Sequence, residues 1–125
     1  MNRVIEPIRI LAATVILSGW LASALGLSMG EREALGQDFA ECAAYFFNAA
    51  KAKPMSEYET LYGTAEDAFN RAKRSLGSEG AERLMADTSS QISAIMGGDW
   101  LNFDRVETRF GGHCVEVINK DIQGK

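Results

Sequence analysis

Side chains that commonly do chemistry are scarce in this chain of 125 residues, which holds one histidine and two cysteines. With His113 alone, there is no cluster of neighbouring imidazoles and thiols of the kind that holds zinc. The sequence has no glycine-rich phosphate loop, no internal repeat and no low-complexity tract. Basic residues are also in short supply: 13 Lys and Arg against 17 Asp and Glu leave a formal charge of −4. A nucleic-acid-binding domain has the opposite balance, because it must neutralise phosphates. What is present is a chain long enough for one domain, with an ordinary globular share of apolar residues, 46%.

Charge is absent altogether from Ile10 to Gly30, and Ile10 to Leu17 is strongly apolar. Arg3 and Arg9 come before this stretch, and the small residues Ala22-Ser23-Ala24 lie near its end. That layout predicts a secretory signal peptide over residues 1–24, cut after Ala24, with Ala22 and Ala24 as the cleavage-site residues. A membrane anchor over residues 10–30 is the other reading, since about 20 apolar residues span a bilayer. Arg3 and Arg9 would then stay on the cytoplasmic side, making the anchor an inner-membrane tether. Either way, the chain beyond this segment is expected in the periplasm or outside the cell. Without residues 1–24 the chain keeps 11 basic and 16 acidic residues, a net charge of −5. Residues 25–36 read as a short polar tether, and 37–122 as the helical domain.

Cys42 and Cys114 are the whole cysteine supply. In an oxidising compartment, an isolated pair in a small domain is expected to bond to itself. The bond would close a loop of about 70 residues, for which chain entropy gives about 4 kcal/mol.

Apolar spacing predicts helices throughout. The first spans about Gln37 to Ala52, with Phe39, Cys42, Ala43, Phe46, Phe47 and Ala50 on one face, and Pro54 stops it. The second starts at Ser56, where Ser56 and Glu59 have the spacing of a capping box. It buries Tyr58, Leu61, Tyr62, Ala65, Phe69, Ala72 and Leu76, has Gly63 as a candidate close crossing, and ends at Gly77. Ser78 is placed as the cap of the third, which buries Ala81, Leu84, Met85, Thr88, Ile92, Ile95 and Met96 and ends at Gly97-Gly98. A short helix from about Asn102 to Gly111-Gly112 and a last one carrying Cys114, Val115, Ile118 and Ile122 complete the chain. The expected fold is all-α: a small antiparallel bundle of four to five helices closed by Cys42–Cys114, preceded by a signal or anchor helix.

Few residues compete for a functional role. Adjacent residues on a helix point about 100° apart, so His113 and Cys114 diverge and do not make a nucleophile–base pair. Asp99-Trp-Leu-Asn-Phe-Asp104 lacks the oxygen spacing, central glycine and distal glutamate of a calcium loop, which leaves Asp99 or Asn102 as a cap. Arg71, Lys73, Arg74 and Arg83 read as surface charge complementing helix ends. Tyr45, off the core stripe of the first helix, and Trp100, after two glycines, are the candidate partner contacts, because exposed aromatics anchor interfaces. A second role for Trp100 is to lid the open end of the bundle.

In outline the chain is similar to the periplasmic acid-stress chaperones of the HdeA type, which are also small, helical and held by one disulfide, although the cysteine spacing here is longer. Cys42-Ala43-Ala44-Tyr45 also resembles a Cys-x-x-Tyr helix common among periplasmic immunity proteins that neutralise secreted effectors. Neither resemblance assigns a residue here. The expectation is an exported protein that acts on an unknown protein partner, with no nucleic acid, no cofactor and no catalysis of its own. An acid-stress chaperone and an immunity or inhibitor protein against a secreted effector are the alternatives.

Overall fold

Twelve consecutive residues from Phe39 to Ala50 include only two with polar character beyond a phenol, Glu41 and Asn48. A helix that is apolar almost all round has no solvent face to offer and must be surrounded. A computed structural model, which describes residues 28–123 with side chains to residue 119, shows this helix as the centre of the fold. Helix α1 is Met29–Ala52, α2 is Tyr58–Leu76 and α3 is Ser78–Met96. Phe103–Val106, a π-helical segment Glu107–Gly111 and Gly112–Gln123 then run on without a break as α4 (103–123). The described residues are all helix and turn, with four helices rather than five. The signal peptide, its cleavage residues Ala22 and Ala24, and nearly all of the anchor span lie outside the described residues. Among the described residues no helix is long and apolar enough to cross a membrane.

Pairings along α1 give the helix directions. Gly36 lies against Ser75 of α2, Arg71 of α2 sits over the Phe39 ring, and Phe47 meets Tyr62 edge-on at 5.2 Å. Numbers rise on α1 as they fall on α2, so the two run antiparallel. From Cys42 onward the same holds for α4: Cys42 is bonded to Cys114, Tyr45 stacks on Phe110, and Lys53 pairs with Glu107, while Asp38 faces His113 next to the disulfide. The buried Asn48 amide donates to the Ala44 carbonyl at 2.7 Å and reaches the Ser89 hydroxyl of α3 at 3.5 Å. Three helices thus cover α1 from different sides.

Small residues make this possible. The buried line of α2 is Ala65, Ala68 and Ala72, with Leu61, Phe69 and Leu76 packed beside it. Thr88, Ile92 and Met96 carry the α3 core, as their spacing predicts. Tyr58 and Tyr62 do not join it: each is 39% exposed, and their rings stack on each other at 5.6 Å beside the alanine line. The close crossing is at Gly36, not Gly63. A Cβ at Gly36 would lie 2.6 Å from the Ser75 Cβ, whereas one at Gly63 meets nothing within 4 Å. Gly36→Ala should therefore cost about 1–3 kcal/mol by forcing α1 and α2 apart. Gly63→Ala should stabilise by up to about 1 kcal/mol. Urea melts of the two variants check both signs.

The ends of the helices depart from expectation in four places. Residues 29–36 belong to α1 rather than to a tether. Ser28 and Glu31 form the capping box there: the Ser28 amide donates to the Glu31 carboxylate at 2.9 Å, and the Glu31 amide to the Ser28 hydroxyl at 3.1 Å. Those bonds hold the Glu31 carboxyl below its usual range, so their contribution is lost as pH falls through that lowered value. Ser56 caps nothing; after Pro54 the chain makes a 3-10 turn, Met55–Glu57, and α2 starts at Tyr58 without a side-chain cap. Ser78 is the first residue of α3 rather than its cap. Gly77 at φ 82° closes α2 and opens α3 by itself, its amide donating to Lys73 and its carbonyl accepting from Ala81.

Gly111 and Gly112 do not end a helix. Gly112 keeps right-handed helical angles, and a Cβ at Gly111 would come within 3.2 Å of the Tyr45 hydroxyl. Gly111 is thus a packing position beneath a tyrosine, within an uninterrupted helix.

Candidate interaction surface

Antiparallel packing gathers two turns at one end of the bundle: Lys53–Glu57 between α1 and α2, and Gly97–Asn102 between α3 and α4. The first carries Met55, 83% exposed, and leads into Tyr58 and Tyr62, whose rings stack at 5.6 Å. The second carries Trp100, 45% exposed, and Leu101, 87% exposed. Most of the exposed large apolar side chains among the described residues therefore share this end, the others being Met29 and Val115.

The second turn is held firmly. Gly97 and Gly98 take left-handed φ values of 63° and 78°, which glycine adopts without strain. The Asp99 side chain accepts the Leu101 amide at 3.0 Å, the capping role expected of it. The Asn102 amide donates to the Met96 carbonyl at 2.9 Å, satisfying one of the last carbonyls of α3. Trp100 stacks on Phe103 at 6.3 Å, Phe103 on Tyr45 at 5.9 Å, and Tyr45 on Phe110 at 6.4 Å. One face of the indole thus lids the core while the rest is open to solvent. Leu101 has no such anchor and projects outward.

Tyr45 is the inner member of this stack and only 6% exposed, so it is not a surface contact. It lies off the apolar stripe of α1, but α4 covers that side. Burial, with Glu107 nearby, pushes its phenol above the usual range. The π-helical segment supplies both Phe110 against Tyr45 and Glu107 against Lys53, which ties α4 to the end of α1. Tyr58 and Tyr62, assigned to the core by spacing, prove to be surface aromatics alongside Trp100.

Cys42 and Cys114 form the expected disulfide, with both residues fully buried. As a disulfide sulfur, Cys114 is not a thiolate nucleophile. His113 Nε2 lies 3.5 Å from Asp38 on the outer side of that bond. Among the described residues no group of three acidic, histidine or cysteine side chains is placed to hold a metal ion.

No protein family, curated protein or solved structure matches this chain.

Close to the disulfide, desolvation on α1 and the neighbouring Asp38 push the Glu41 carboxyl above its usual range, against an opposing pull from His113. A folded-state value above the unfolded one means that the native state holds this proton more tightly. The stability it contributes is full below the unfolded value and is lost as pH rises through the folded value. Glu41→Gln should accordingly melt higher than the parent at neutral pH and level with it in acid. Thermal melts across the carboxylate range read this directly; an equal gain at every pH would show that Glu41 acts through packing instead.

Proposed function

We propose that this is an exported periplasmic protein that works by docking a protein partner on the apolar end of its bundle, with no catalysis of its own. The observation that carries the reading is Trp100 propped on the Phe103–Tyr45 stack, with the exposed Leu101 next to it in a turn at the end of the bundle that also carries Met55. A folded domain that leaves large apolar side chains clustered, and props one of them on its own core, has the anatomy of an interface anchor. Export is supported by the uncharged N-terminal run and by the buried disulfide, which needs an oxidising compartment to form and persist. The acid-stress chaperone reading requires native carboxylates held low so that acid loosens the fold. Glu31 fits that requirement at an exposed cap, but Glu41 on the central helix works in the opposite sense.

A photo-crosslinking residue at Leu101, in cells, is expected to give a discrete adduct that disappears with Trp100→Ala, while the same residue at Glu82 gives none. Equal yields from both positions would count against the apolar end as the interface. Intact mass and thiol trapping of the envelope fraction test export: an oxidised pair, with or without residues 1–24, is the expected species.

A further inference from the structure

We infer that the partner seated on this end is a cationic protein surface with an apolar knob, an assignment that rests on the docking reading above. The apolar side chains alone select no particular occupant. The charges around them do. Glu57, Glu59, Asp99, Asp104 and Glu107 surround the two turns, against Lys51, Lys53 and Arg105. Lys53 and Glu107 pair with each other. Four carboxylates and two cations remain, so the apolar patch is set in a rim two charges negative. Asp99 and Asp104 bracket Trp100 and Leu101 along the chain, and Glu57 and Glu59 bracket Tyr58, so the negative charge is carried on the same turns and first helical turns as the exposed apolar side chains.

Each candidate occupant meets this rim differently. Two copies of the chain docked end to end would place like-charged rims together, and like charges across an interface discriminate against pairing. An anionic bilayer meets the same repulsion, since membrane-surface binding is driven by Lys and Arg. A basic protein surface gains on both counts: its apolar side chain covers Leu101 and Trp100, and its cations reach Asp99 and Asp104 at the rim, where charge steers approach.

The probe is a pair of synthetic amphipathic helical peptides, one of Leu and Lys and one of Leu and Glu, titrated against the full chain. The Leu/Lys peptide is expected to bind, with affinity falling about tenfold as salt shortens the reach of the rim charges. Leu101→Ser should abolish binding, and Asp99→Lys with Asp104→Lys should weaken it about tenfold. Circular dichroism verifies that each variant stays folded. Glu79→Lys with Glu82→Lys, at the far end of α3, should leave binding unchanged. Weakening by that distant pair equal to the weakening by Asp99 and Asp104 overturns the inference, because general acidity would then explain it. Preferential binding of the Leu/Glu peptide, of phosphatidylglycerol vesicles or of a second copy, each lost with Leu101→Ser, overturns the cationic assignment and leaves the docking end standing. If no probe binds and Leu101→Ser changes nothing, both fall.

Discussion

Replacing Cys42 and Cys114 together by alanine is expected to lower the unfolding free energy by about 4 kcal/mol. The bond spans a sequence separation of 72 residues, most of the helical domain. Cutting it returns that loop's entropy to the unfolded chain, and a small domain has only about 5–15 kcal/mol of net stability to lose. In a thermal melt the loss corresponds to roughly 20 °C for a domain of this size. The structural consequence is directional. The bond clamps α4 to the central helix, and α4 also carries Phe103 and Phe110, on which the Tyr45–Trp100 stack rests. The variant should therefore lose partner binding at temperatures where α2 and α3 remain helical. Paired melts by circular dichroism and by binding measure this. A change of only a few degrees would mean that packing, not the covalent tie, holds α4 in place. Because both sulfurs are buried, reductant should act on the native protein only through opening of the fold, and more slowly than on the urea-unfolded chain.

Tyr45→Ala carries the second large effect, about 3–5 kcal/mol, the range for emptying a large buried aromatic position. Tyr45 touches Phe46 edge-on at 5.2 Å and stacks on Phe103 and Phe110, so its loss opens a cavity between α1 and α4 that neither helix can close without breaking the other contacts. Trp100→Ala should show the converse pattern, with little change in stability and a large change in binding. Comparing the two variants separates a core aromatic from an interface aromatic on the same stack. A Tyr45→Ala protein as stable as its parent would contradict the burial on which this contrast depends. Tyr45→Phe keeps the ring and should stay near the parent.

Much of the fold is legible one residue at a time. Pro54 ends α1 because it cannot continue the helix, and Gly77, Gly97 and Gly98 mark turns because glycine takes positive φ freely. The period of Thr88, Ile92 and Met96 gives the core face of α3. The Ser28–Glu31 capping box has the same spacing as Ser56–Glu59, and only the first forms. Spacing alone does not distinguish them, since Pro54 and the 3-10 turn after it claim Ser56. At the candidate surface, Trp100 and Asp99 could be read from their position after two glycines. Met55 and Leu101 carry no signal beyond being apolar in turns.

By itself, then, the sequence determined helical content, where three helices stop, which cysteines pair and an acidic overall balance. All of these follow from local backbone preference, composition or the simple count of partners. Tertiary structure alone decided that α1 is enclosed from Phe39 to Ala50, that Tyr45 is core while Tyr58 and Tyr62 are surface, that Gly36 rather than Gly63 is the tight crossing, and that Gly111-Gly112 lies inside a helix. Periodicity describes one helix against one neighbour. A side chain's exposure depends on how many neighbours its helix has, and that number is set only when α2, α3 and α4 close around α1.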